Sequence, residues 1–186
     1  MYAAATRLPP DVDVWLLSIL AEMANRRGDL AAQGRYLERA RSIAPLDLKL
    51  KGHYADWLLA EGRAEEVLAL LREDEQHDSL LLRLALAARQ RSVTALANDY
   101  ATKFRERQAF ASGEARHLRE HARFLLDVDD DGAAAVIAAR ANWQLQKEPE
   151  DVRLLLRAAR RSGDDGALAI ANEWIAATGY EDRMLQ

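Results

Sequence analysis

The chain has 186 residues, of which 36 are Ala and 29 are Leu, while Val, Ile and Thr together number 16; strong helix formers dominate and the β-branched residues that strands use are scarce, which disfavours sheet, sandwich and barrel folds. It has no Cys, which excludes disulfide frameworks, thiolate metal sites and Cys nucleophiles, and its formal net charge of -4 argues against a nucleic-acid partner. With 49% hydrophobic and 30% charged residues it is globular rather than disordered, and the longest apolar run, Ala133 to Ala139, falls far short of the ~18 residues of a membrane span.

Taken in chain order, the opening MYAAATRLPP lacks the charged and then apolar regions of a signal peptide. Met1 fits equally the start of a piece cut from a longer chain, so cytoplasm and periplasm both stay open. Of the 26 basic residues 22 are Arg, a bias that a GC-rich bacterial genome explains as readily as a binding demand. Residues 1–11 read as a lead-in. Apolar stripes at helical spacing then predict ten helices, over 12–26, 30–43, 47–60, 64–73, 78–90, 93–110, 114–128, 132–146, 151–162 and 166–178. Residues 180–186 read as a loose tail.

A 34-residue period runs through these elements. It relates Gly28 to Gly62, Leu16 to Leu50, Ala21 to Ala55 and Leu37 to Leu71, and it relates Asp130-Asp131-Gly132-Ala133 to Asp164-Asp165-Gly166-Ala167. Pro45 follows Gly28 by 17 residues, and Pro149 follows Gly132 by the same interval. Each unit reads as two helices. Gly ends the first because it tolerates positive φ, and Pro ends the second because it cannot continue a helix interior. Asp47 and Asp151, each two residues after a Pro, are expected as N-caps of the next unit. The third unit is irregular, its turn near Arg91-Ser92 lacking Gly.

These residues resemble the tetratricopeptide repeat (TPR) family. Leu17, Leu20, Ala21, Ala24, Gly28-Asp29, Leu37, Ala40 and Pro45 carry the likeness in the first unit; Tyr54, Ala55, Leu58, Gly62, Val67 and Leu71 carry it in the second. Phe124, Gly132, Ala141 and Pro149 do so in the fourth, and Leu155, Ala159, Gly166, Ala171 and Ile175 in the fifth. The likeness covers most of residues 12–178. Ala replaces the family's Gly at the helix crossing, most of the motif's Trp and Tyr are missing, and the third unit matches poorly; a less regular α-solenoid is the competing fold. The resemblance implies an all-α, right-handed α-solenoid of about five helix-turn-helix repeats, over 12–46, 47–77, 78–112, 113–149 and 150–179. It implies a concave face that binds a peptide or protein segment, and it does not imply catalysis or a cofactor.

In such units the outward side of the first helix lines the groove. Mapping by the turn glycines places Trp15, Ser18 and Glu22 there from the first unit, Lys49 and Asp56 from the second, Arg89 from the third, Arg119 from the fourth, and Arg153 and Arg160 from the fifth. The arginines gather in the C-terminal half, where an acidic segment or terminal carboxylate would suit their forked donors. Arg153, Arg157, Arg160 and Arg161 form a basic stripe opposite apolar Val152, Leu155, Leu156 and Ala159. Trp57, Trp143 and Trp174 read as packing residues between repeats, and Trp15 as exposed at the groove edge.

Two motifs carry other chemistry. His117-Leu118-Arg119-Glu120-His121 puts two His and a Glu on one helix face, the pattern of a zinc hydrolase, but no third ligand stands out among Glu148, Glu150 and Glu173. Asp127 to Gly132 matches the opening of a calcium loop, yet Ala138 sits where the anchoring Glu belongs, so the acidic stretch reads as an inter-helix turn. No phosphate-binding or serine-hydrolase motif is present. The expectation is a non-catalytic protein-binding scaffold, with a metal hydrolase built on the His pentad, or a structural segment of a larger repeat protein, as the alternatives. Neither Val14-Trp15-Leu16-Leu17 at one end nor Ile170, Trp174 and Ile175 at the other reads as a solvating cap, so self-association through an end is also expected.

Overall fold

The computed structural model describes residues 9–110 and 117–185, and within them the chain is all-α, with ten helices and a short 3₁₀ turn. The helices are α1 Pro10–Arg26, α2 Leu30–Ile43, α3 Leu48–Ala60, α4 Ala64–Leu71, α5 Asp78–Gln90, α6 Thr94–Phe110, α7 Leu118–Asp127, α8 Gly132–Leu145, α9 Pro149–Ser162 and α10 Asp165–Thr178, and the 3₁₀ turn is Arg183–Leu185. The expected start of the seventh helix at 114 lies outside the described residues. No helix among them is long and apolar enough to cross a membrane.

Four of the five hairpins share one turn; the fourth is longer, with Asp130 left-handed and Asp131 N bonded to Leu125 O. At Gly28, Gly62 and Gly163 the backbone turns left-handed, with φ of 71°, 75° and 72°. The amide of the next residue then reaches back to close the helix end, as in Asp29 N to Ala24 O, Arg63 N to Leu58 O and Asp164 N to Ala159 O. The third hairpin makes the same turn without glycine: Ser92 takes φ of 58°, and Val93 N bonds Ala88 O. After the turn an Asp side chain accepts from the backbone three residues on, capping α2 (Asp29), α8 (Asp131) and α10 (Asp164); Asp47 caps α3 the same way.

Three expectations about the turns need correction. Gly132 and Gly166 are not the turn residues; they sit inside the first turns of α8 and α10, and Asp130 (φ 56°) and Gly163 make the turns. The repeated DDGA string is therefore one residue out of structural register, because the cap Asp131 corresponds to Asp164. Gly132 is small for another reason: a Cβ there would lie 2.7 Å from Arg161 Cγ on α9. Pro149 does not end α8, which stops at Leu145; it opens α9, where its missing N–H costs nothing. Asp151 is consequently not the N-cap. Glu148 is, and Asp151 is the buried third residue of a reciprocal capping box, accepting from Glu148 N at 2.7 Å.

Each odd-numbered helix packs on the even-numbered helix that follows it, and α2·α3, α4·α5 and α8·α9 join successive hairpins. The first helices of the hairpins also touch along the series α3, α5, α7, α9. One apolar cluster runs from α1 to α7 and includes the Phe104–Phe124 ring stack at 4.4 Å; a second runs from α7 to α10 around Trp143. The Trp residues pack as expected. Trp57 is buried, donates to Leu30 O at 2.9 Å, and lies on Gly34 of α2; Trp143 meets Trp174 edge-on.

The tail is not loose up to Leu185. Tyr180 packs against Trp174, and the 3₁₀ turn touches both α9 and α1. The last described segment is thereby joined to the first helix.

Gly34 offers a test of this packing. Ala in a helix interior is ordinarily better than Gly by about 1 kcal/mol, but a Cβ here would lie 2.3 Å from Trp57 Cζ2. Overpacking costs about 1–3 kcal/mol. Gly34→Ala is expected to lower the unfolding free energy by about 1 kcal/mol in urea denaturation, and the sign is expected to reverse when Trp57→Leu is present in the same chain.

Candidate functional site

The inner sides of α1, α3, α5, α7 and α9 carry charges of both signs, and these meet. Asp56 of α3 receives Arg83 of α5 at 2.5 Å and Arg123 of α7 at 2.8 Å. Arg83 also donates to the Gly52 and Ser79 carbonyls. Arg119 of α7 bridges the start of α9, pairing with Asp151 at 2.6 Å, Glu148 at 2.7 Å and Glu150 at 3.3 Å, while Asn142 donates to the same Asp151. Asp127 takes Arg123 and Arg157.

Arg153 of α9 closes the series. One nitrogen donates to Glu22 of α1 at 2.8 Å and another to Asp182 of the tail at 2.6 Å. Tyr180 donates its hydroxyl to that same Asp182 carboxylate, and Arg26 of α1 donates twice to the Glu181 carbonyl while lying over the Tyr180 ring. His53 of α3 stands 3.5 Å from Glu150 of α9.

These contacts set the protonation behaviour. Burial pushes the Glu22 carboxyl above its ordinary value, and Arg153 pulls it only part of the way back. Burial acts in the same direction on Asp56, but Arg123 and Arg83 outweigh it and hold that carboxyl below its ordinary value. Burial opposes the charge of Arg119, and Asp151, Glu150 and Glu148 more than compensate.

Beside this network lies a cleft of about 850 Å³ between α1, α2, α3 and the start of α9. It lies where α1 packs less closely on α3 than the later first helices do on one another. Its walls are apolar, with Val14, Trp15, Ile19, Leu37 and Leu50 among them, and its floor reaches Glu22 and Asp56. A smaller hollow of about 200 Å³ opens on Asp56, Arg83, Arg119, Arg123 and Arg153.

Of the groove residues expected from the sequence, Trp15, Ser18, Glu22, Lys49 and Asp56 line the cleft, and Trp15 is 63% exposed. Arg119 and Arg153 adjoin it through their carboxylate partners. Arg89 and Arg160 do not: they are exposed and bond the Val128 and Leu185 carbonyls. The arginines expected to wait for an acidic partner are thus paired with the chain's own carboxylates or carbonyls. Sequence reasoning missed Arg83, Arg123, His53, Asp182 and the tail. Only Asp151 had a local signal, the Glu148-Pro149-x-Asp151 spacing of a capping box.

The two suggestive motifs fall elsewhere. His117 is the N-cap residue of α7, and among the described residues no group of three or more His, Asp or Glu side chains is placed to hold a metal ion. The acidic turn disperses its carboxylates: Asp127 to Arg123 and Arg157, Asp129 to Arg105, Asp130 to Arg161, and Asp131 to the α8 cap. Comparison of the chain with protein-family models, with curated proteins and with solved structures gives no match.

Asp56 makes the network testable. Its folded-state value lies below its unfolded one, so its contribution is complete above the unfolded value of ~4 and is lost as pH falls through the folded value. Asp56→Asn is expected to cost about 2 kcal/mol at neutral pH, between the surface and buried limits for an ion pair. It is also expected to leave a shallower loss of stability on acidification. Acid limbs of equal slope in urea melts would contradict this role.

Proposed function

We propose that this chain is a TPR-like helical-repeat scaffold without catalytic activity, and that its cleft binds a protein segment. The observation that carries the reading is the looser packing of α1 on α3, which leaves an apolar-walled cleft of about 850 Å³ with Trp15 at its edge. That volume and lining suit a few apolar side chains of a helical or extended segment. The turn common to four of the five hairpins and the series of contacts between α3, α5, α7 and α9 support the repeat reading.

Charge shapes the segment. The neighbouring guanidinium groups are engaged within the chain, so an acidic segment would have to displace Glu22, Asp151 or Asp182. Of the six carboxylate residues that line the cleft, Glu22, Asp56, Glu148 and Glu150 meet the chain's own arginines and Asp47 caps α3, while Asp11 has no ion-pair partner among the described residues. The favoured occupant is an apolar segment that carries a basic residue, rather than an acidic one.

A displayed library of amphipathic peptides tests the reading. Enriched sequences are expected to combine apolar residues with Lys or Arg. Ser18→Arg, which fills the cleft, is expected to weaken their binding at least tenfold, about 1.4 kcal/mol, while Arg160→Glu outside it leaves binding unchanged. Failure to enrich any peptide, or equal binding by wild type and Ser18→Arg, would reject the cleft as the site.

A further inference from the structure

We infer that a second copy of this chain docks against the outer face of α1, the two helices running antiparallel about a two-fold axis. Leu17, Ala21 and Ala24 bury one face of α1. On the other side Val12, Leu16, Ile19 and Met23 are 38%, 37%, 37% and 45% exposed, with Trp15 beside them. Their spacing of four, three and four residues is the a/d repeat of a helix that pairs with another helix. Single exposed apolar side chains are ordinary; four in register along one helix are an unpartnered seam. The other first helices show no such seam among the described residues, where Leu48 alone of their large apolar side chains is exposed.

The charges of α1 select the occupant. Asp11 and Asp13 lie in its first turn, and Arg26 and Arg27 close its other end. Arg26 is held by the tail, but Arg27 and Asp11 have no ion-pair partner among the described residues, and Asp13 has only Arg39 at 4.0 Å. In an antiparallel pair Val12 layers on Met23 of the second copy, and Leu16 on its Ile19. Asp13 of each helix then lies on the same flank of the seam as Arg27 of the other, twice over by symmetry, and the opposed helix dipoles add to the match. A parallel pair would set Asp against Asp and Arg against Arg. A contact made largely by one 17-residue helix is smaller than the ~800 Å² per partner of a standard interface, so the dimer is weak, with a dissociation constant of ~10–100 μM.

The seam shares Ile19 and Met23 with the edge of the cleft and goes beyond it at Val12 and Leu16, which are not among the cleft's lining residues. Sedimentation from ~1 to ~300 μM, spanning that dissociation constant, tests it. The wild type is expected to pass from monomer to dimer, and Leu16→Glu to raise the dissociation constant at least tenfold with an unchanged melting curve. Arg27→Glu alone and the pair Asp11→Arg with Asp13→Arg alone are each expected to weaken the dimer, and an equimolar mixture of the two variants to restore it as a heterodimer. A wild type that stays monomeric, a dimer indifferent to Leu16→Glu, or a mixture that does not restore association would overturn the proposal. Peptide binding that survives Leu16→Glu but not Ser18→Arg separates this result from the fate of the cleft.

Discussion

One guanidinium, that of Arg153, holds the first helix and the last described segment of the chain to a single point. Glu22 lies 131 residues before it and Asp182 lies 29 after it, and both carboxylates reach it within hydrogen-bond distance. Asp182 is buried, and a buried charge without a partner is costly enough that removing one member typically destabilises by about 3–5 kcal/mol. The array of hairpins therefore does not simply end. Its last segment returns to its first helix, and that return fixes where α1 stands. α1 is anchored to α2 by close apolar packing and to the tail by charge. Held from those two sides it packs less closely on α3, and the cleft is the space that results.

The same logic divides the inner surface into two kinds of chemistry. Carboxylates and guanidinium groups converge where α3, α5, α7 and α9 meet, and there they mostly satisfy one another. Polar groups engaged in this way specify the arrangement of helices and leave little capacity for an incoming charged ligand. The apolar side chains of the cleft come chiefly from α1, with Leu37, Ile43 and Leu50 opposite them, and they gain by being covered. On the proposed reading recognition follows this division: apolar side chains of a partner provide burial, and Asp11 favours a cation beside them. The outer seam of α1 extends the pattern, because that one helix presents apolar side chains to α2, to the cleft and, at Val12 and Leu16, beyond the cleft.

The helices were legible in the sequence because their ends are local events. A residue able to turn left-handed, followed by an Asp that caps, is visible within a few positions, and the expected bounds of α2, α5 and α10 differ from those found by one residue at most. Even the third hairpin makes the same turn, with Ser92 doing what glycine does elsewhere, although Val93 rather than Asp follows it. Errors arose where a local string had two readings. The DDGA repeat suggested that Gly132 was a turn residue, while its small size serves the close approach of Arg161. Pro149 and Asp151 read as a stop and a cap, but Pro at the first position of a helix moved the boundary and buried the Asp under Arg119. The site was less legible still. Spacing placed Trp15, Glu22, Lys49 and Asp56 on the right face, since helical periodicity decides that. It did not reveal that Arg153 and Arg119 are matched by distant carboxylates, because such pairing depends on how the hairpins stack and on where the tail returns.

The central claim is that Arg153 holds α1 in place and so keeps the cleft open. Hydrogen exchange of backbone amides, compared between wild type and Arg153→Gln, tests it most directly, because local opening is read helix by helix. If the clasp holds α1, its amides exchange at least tenfold faster in the variant, about 1.4 kcal/mol of local stability, while those of α5 and α6 keep their wild-type rates. Unchanged exchange in α1, or an equal acceleration throughout the chain, would contradict the claim.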